Sequence, residues 1–155
     1  MYVRYHHDVV GVNSRLDSIQ AAVLNAKLPL LDQYNTARQN AARKYSAAFE
    51  GHKNIVAPSI CDICDCHVFH QYTLRIIDGD RDGLMQHLLD KGIPCAIYYP
   101  IPLHSQKAYL DARYKEENFP VTNLLAKQVI SLPMHTELDD EQIKFITDSV
   151  LEYLK

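Results

Sequence analysis

Three stretches of the 155-residue chain hold side chains whose types and spacing could do chemistry. The first is Tyr98-Tyr99-Pro100-Ile101-Pro102-Leu103-His104. Two prolines fix φ in a loop leaving an apolar run, so Tyr98, Tyr99 and His104 can be held in place at low entropic cost. Phenol hydroxyls and an imidazole are good hydrogen-bond partners for the hydroxyls of a sugar. The same pattern also describes a proline-stiffened loop with surface tyrosines. The second stretch is Gly11-Val12-Asn13-Ser14-Arg15-Leu16-Asp17. A polar loop opening a helix offers free N–H groups, an Asn amide and a guanidinium, which together can hold an anion such as phosphate. A helix cap followed by a surface Arg accounts for it as well, and is the simpler reading on physics alone. The third stretch is Cys61-x-x-Cys64-x-Cys66-His67-x-x-His70, whose thiolates and imidazoles suit tetrahedral zinc. Against zinc, Asp62 and Asp65 separate the cysteines, no second Cys-x-x-Cys pair follows, and His67 and His70 point to opposite faces of a strand. The expectation is a loop with incidental cysteines and no metal.

Other chemistries lack their signatures. There is no Gly-x-Ser-x-Gly elbow, and the five glycines form neither a Gly-x-Gly-x-x-Gly nor a Walker loop. Cys95 sits in an apolar run and reads as core filling. The formal charge of −3 speaks against nucleic acid as a partner, which usually demands a basic face. No run of 18 apolar residues could span a membrane. Met1 to Asp8 do not resemble a secretory signal, so a cytoplasmic location with reduced thiols is expected.

The elements that must position these residues can be read from periodicity. Ser14-x-x-Asp17 resembles a capping box, and Leu16, Ile19, Val23, Ala26 and Leu30 then share one helical face. Pro29 predicts a kink or restart. Leu30, Tyr34, Ala37, Ala41, Tyr45 and Ala48 continue the apolar stripe to a stop near Gly51. Beyond it, Ile55–Ala57, residues 67–77, Ile93–Tyr99 and Val129–Leu132 read as strands. Asp78-Gly79-Asp80 opens a short helix that carries Leu84, Leu88 and Leu89 and ends at Gly92. One short helix is expected over Gln106–Tyr114, and another capped by Thr122 or Asn123 runs to about Gln128. Asp139-x-x-Gln142 opens the last, with Ile143, Ile146, Val150 and Leu154 on one face. This pattern predicts an α+β fold with a short, mostly antiparallel sheet. Residues 1–51 form a lead segment with long helices, and 52–155 the small α+β domain.

Taken together, the motifs resemble the DegT/DnrJ/EryC1/StrS family of pyridoxal-phosphate (PLP)-dependent sugar aminotransferases. The resemblance is carried by Gly11-x-Asn13-x-Arg15-Leu16-Asp17-x-Ile19-Gln20-Ala21-Ala22-Val23-Leu24 and by Ala42-Arg43-Lys44-Tyr45. It continues through Val68-Phe69-His70-Gln71-Tyr72-Thr73-Leu74-Arg75, Arg81-Asp82-x-Leu84 with Gly92-Ile93, Tyr98 to Tyr109 and Leu132-Pro133-Met134-His135, in the family's order.

The resemblance implies the small C-terminal domain of a fold-type I PLP enzyme, so that the length reads as a fragment. In the family the PLP lysine lies upstream of the Gly-x-Asn-x-Arg-Leu-Asp segment, and no lysine here stands in its context. The parent would move an amino group from L-glutamate to a nucleotide-linked keto-sugar, and the variant Tyr-Tyr-Pro-x-Pro-Leu-His points to 3-amino sugars. The chain alone would have no catalytic residue, bind no PLP and be inactive. Asn13 matches a residue that reaches the partner subunit's cofactor phosphate; Arg15, Tyr98, Tyr99 and His104 match substrate-facing positions. The implied partners are a second copy through the lead helices, the parent's large PLP-binding domain and the nucleotide-sugar. A stand-alone binding or assembly module built on the same domain is the alternative.

Overall fold

Asp139 starts the last helix as the sequence leads one to expect: its carboxylate accepts from the Gln142 N–H at 2.8 Å while Gln142 caps back onto the Asp139 N–H. The computed structural model describes residues 5–59 and 67–155. Its elements are α1 (Ser18–Lys27), α2 (Leu31–Phe49), β1 (Ile55–Val56), β2 (Tyr72–Ile76), α3 (Arg81–Asp90), α4 (Pro120–Gln128), β3 (Val129–Leu132) and α5 (Asp140–Tyr153). The three strands form one antiparallel sheet in the order β1-β2-β3. Register is set by Ile55 opposite Ile76 on one side of β2 and Leu74 opposite Ile130 on the other. The fold is α+β.

Alternation in β2 buries Tyr72, Leu74 and Ile76, which join one core with Tyr45 and Phe49 of α2, Leu84 and Leu88 of α3, Ile130 of β3 and Val150 of α5. Thr73 and Arg75 point the other way, where Thr73 Oγ1 meets Ser131 Oγ at 2.8 Å and the Arg75 guanidinium donates to Gln128 Oε1. Tyr45 and Tyr72 are fully buried with ring centroids 4.9 Å apart. The Tyr45 hydroxyl donates to the Pro133 carbonyl at 3.0 Å, and Tyr72 pairs with Ser46 Oγ at 2.9 Å. Burial pushes both phenols up, Tyr72's nearness adding to the rise at Tyr45 and the Ser46 bond offsetting part of it at Tyr72.

Several expectations need correcting. The first helix starts at Ser18, capped by Asp17 with Gln20, so the capping box lies three residues later than the Ser14 reading placed it. Pro29 does break the path: a 3-10 turn over Leu28–Leu30 separates α1 from α2. Ile93–Tyr99 is no strand. It makes a lone bridge between Ala96 and Ser131, because Pro94 and Pro100 have no N–H to give a ladder. Residues 67–77 yield strand only from Tyr72, since Phe69 turns to φ 47 and buries its ring out of alternation. Gln106–Tyr114 forms a single 3-10 turn, Lys107–Tyr109, rather than one helix. α4 starts at Pro120, a residue that needs no N–H in a first turn, and not at Thr122 or Asn123. The Cys61, Cys64 and Cys66 cluster lies outside the described residues. The apolar face of α1 is open: Ile19 is 79% and Val23 50% exposed, and the helix buries none of its residues.

Candidate functional site

The Tyr98–Tyr99 loop is held at both ends. Upstream, Gly92 at φ 75 ends α3, and the Ala96 N–H and carbonyl both bond Ser131 of β3. Downstream, a 3-10 turn over Leu103–Ser105 leads to Gln106, which is buried. Between these anchors the loop walls a cavity of about 550 Å³ lined by Tyr5, His7, Tyr98, Tyr99 and Gln106, with Leu125 of α4 among its apolar walls. Tyr5 meets Tyr98 edge-on at 5.8 Å and Tyr99 at 5.4 Å, and Tyr98 and Tyr99 are themselves edge-on at 5.8 Å. Tyr99 is 61% exposed at the mouth. Three phenols around a partly apolar hollow can stack on a sugar ring and hydrogen-bond its rim.

A second cavity of about 420 Å³ lies on the other side of Tyr98, lined also by His70, Gln71, Cys95, Ser131 and His135. Tyr98 thus forms a wall of both. The Cys95 thiol there donates weakly to the Met85 carbonyl at 3.7 Å, and burial pushes its pKa up, so it is a protonated thiol and a poor nucleophile. His135 Nδ1 accepts from the Glu137 N–H at 3.2 Å, which places the neutral ring's proton on Nε2.

The structure therefore gathers Tyr98 and Tyr99 at one hollow and sets His104 apart. The His104 ring stacks on Phe119 at 4.4 Å and 20°, under the start of α4, and lines neither cavity. Asn13 and Arg15 lie in an exposed, irregular segment just ahead of α1 and line neither cavity. Tyr5, His7 and Gln106 are among the site residues that sequence reasoning did not single out. Their only signal was aromatic rings near the start and an amide within the loop motif.

Neither tyrosine-walled cavity has a lysine in its lining, so no step through a PLP Schiff base is derived from them. Among the described residues no group of three His, Cys, Asp or Glu side chains could hold a metal ion, and no helix is long and apolar enough to cross a membrane.

Comparison with known proteins places this geometry among aminotransferases. The sequence model of the DegT/DnrJ/EryC1/StrS aminotransferase family matches residues 2–151. A UDP-N-acetyl-3-dehydro-alpha-D-glucosamine 3-aminotransferase of Acidithiobacillus ferrooxidans is 44% identical over 139 residues, 90% of this chain and 36% of that protein. A UDP-2-acetamido-2-deoxy-3-oxo-D-glucuronate aminotransferase of Pseudomonas aeruginosa is 41% identical over 143 residues, 92% of this chain and 38% of that protein. The crystal structure of S. venezuelae DesV in complex with a ketimine intermediate superposes with a TM-score of 0.84 at 35% identity, covering all of this chain and 41% of that one. The chain thus spans about 40% of the length of the proteins it matches.

Proposed function

The chain belongs to the DegT/DnrJ/EryC1/StrS aminotransferase family, and from that premise we propose that it is the small C-terminal domain of an enzyme moving an amino group from L-glutamate to a nucleotide-linked 3-keto-sugar. The carrying observation is the tyrosine-lined hollow beside the Tyr98–Tyr99 loop, which offers ring faces and hydroxyls suited to a pyranose. Two relatives whose names specify 3-oxo or 3-dehydro sugars on UDP support the choice of carbon and carrier.

Full-length members use PLP, which supplies an electron sink when bound. In this reading a large domain brings the lysine, and residues 52–155, together with Tyr5 and His7 of the lead segment, contribute the sugar-facing wall. Tyr98 and Tyr99 orient the sugar, and the His104–Phe119 stack stiffens the loop that presents them. Asn13 and Arg15 are exposed ahead of α1: Asn13 reaches toward a cofactor phosphate of a second copy, and Arg15 toward the nucleotide-sugar. Residues 1–51 form the lead segment across which two copies meet, in a cytoplasmic homodimer. The open face of α1 gives one specific reason to keep the second reading, a non-catalytic assembly module.

The test is direct. The isolated chain, given PLP, L-glutamate and a UDP-linked 3-keto-sugar, should show no turnover above the blank. Titration with UDP-N-acetylglucosamine should move the ring signals of Tyr98 and Tyr99. Turnover by the chain alone would overturn the domain assignment, and still tyrosine signals at saturating ligand would favour the assembly module.

A further inference from the structure

Gln106 is a polar side chain only 5% exposed, and its amide is used on both sides. Nε2 donates to the Tyr5 carbonyl at 2.8 Å and, more weakly, to the Ile101 carbonyl at 3.5 Å. Oε1 accepts from the His7 N–H at 3.0 Å. The next turn adds a backbone bond, from the Ala108 N–H to the His7 carbonyl at 2.9 Å. Lys107 and Asp8 add an exposed ion pair at 3.2 Å, which contributes little in water.

The residue gripped between these bonds is unusual. Tyr5 stands at φ 68, the left-handed region, which a side chain with a Cβ adopts only at a cost. Such a conformation persists where the surroundings over-determine it. Here it turns the Tyr5 ring onto both Tyr98 and Tyr99. A side chain that only filled space at position 106 would need no amide, whereas truncating this one leaves a backbone carbonyl and a backbone N–H without their partner.

We infer that Gln106 is a positioning residue: its amide clasps residues 5–7 to the loop, so that Tyr5 completes the wall of the tyrosine-lined cavity. The inference rests on reading that cavity as the sugar-facing site, and it deepens the reading by naming what sets the cavity's shape. Gln106 acts through Tyr5 and not on any reacting atom.

The experiment uses the 155-residue chain with isotope-labelled tyrosine, followed by NMR together with amide exchange. Gln106→Leu keeps the bulk and loses all three amide bonds. Amide exchange at His7 and Ala108 should then quicken about tenfold or more, while Leu74 and Ile130 stay protected. The ring-current shifts that Tyr5 imposes on Tyr98 and Tyr99 should collapse. Gln106→Glu keeps the acceptor for His7 but regains the donor for Tyr5 only when protonated, and burial raises a carboxyl's pKa. Its tyrosine signature should therefore return at about pH 5 and be lost at about pH 8, with the wild type constant over that range.

Unchanged exchange and unchanged ring shifts in Gln106→Leu would overturn the inference. Should that variant lose protection at Leu74 as well, the Glu variant decides: a signature indifferent to pH overturns the clasp. UDP-N-acetylglucosamine separates the two layers of the argument. Its affinity should fall about fivefold or more in Gln106→Leu if Tyr5 shapes a sugar site. A wild type that ignores the nucleotide-sugar while the clasp results hold would defeat the sugar reading alone.

Discussion

Tyr45 and Tyr72 show what single side chains contribute at the centre of the core. Each carries a hydroxyl into an apolar interior and each finds a partner there, the Pro133 carbonyl and Ser46. Tyr45→Phe keeps the ring and orphans the Pro133 carbonyl, so a loss of about 1 kcal/mol is expected, read from urea denaturation. The same pair sets an alkaline limit. Both folded pKa values are raised above the ordinary 10.0 by desolvation. Their stabilising effect is complete below the unfolded pKa. Above it, the unfolded chain releases protons that the folded chain keeps, so stability falls as pH climbs toward the folded values. Denaturation midpoints should drop steadily above about pH 10, and more shallowly in Tyr45→Phe. A midpoint flat across that range would show the phenols titrating as if exposed. At the site, Phe119→Ala removes the stacking partner of His104. If that stack stiffens the loop, Tyr98 and Tyr99 should broaden in NMR spectra while β2 is unaffected.

At the scale of elements, local chemistry decided most starts and stops, and these were legible. Asp139 with Gln142 announced α5, Asp80 announced α3, and Gly51 and Gly92 announced the ends of α2 and α3. Gly92 sits at φ 75, so Gly92→Ala should cost about 1 kcal/mol by thermal melt, a penalty set by backbone conformation because a Cβ there meets nothing. Asp139→Ala should cost about 1 kcal/mol by removing the cap from a helix whose Ile143, Ile146 and Val150 are buried. What was not legible depended on partners distant in sequence. The Ile93–Tyr99 run has strand composition, but Pro94 within it and Pro100 just after it allow only one bridge to Ser131. Phe69 leaves the alternation of its strand because the core, not the sheet, claims its ring. The site divides in the same way. Tyr98 and Tyr99 were visible in a proline-bracketed loop, whereas Tyr5 joined them through a contact 94 residues long that no spacing rule can announce. His104 read as a third member of the loop, yet its ring is taken up by Phe119.

For the whole molecule, the unsettled surface is the face of α1. The sequence leads one to expect that stripe to need a partner, and among the described residues it finds none: Ile19, Val23, Leu24 and Leu28 are all exposed. A run of apolar side chains left open on a helix promotes association. The homodimer proposed for the family reading would cover it, and would also bring the exposed Asn13–Arg15 segment close to a second copy. The two consequences can be separated from folding, because α1 buries none of its own residues. Ile19→Glu with Val23→Glu should therefore change the chain's stability by no more than about 0.5 kcal/mol, as surface substitutions do. The same pair should convert an associated chain to monomer, since it would place two carboxylates in a closed apolar interface where each must be desolvated without a partner. Light scattering coupled to size exclusion reads the mass of both forms across a concentration series. A wild type that stays monomeric at high concentration would count against association through α1. A double variant that stays associated would move the interface to another face, and with it the route by which Asn13 reaches a second copy.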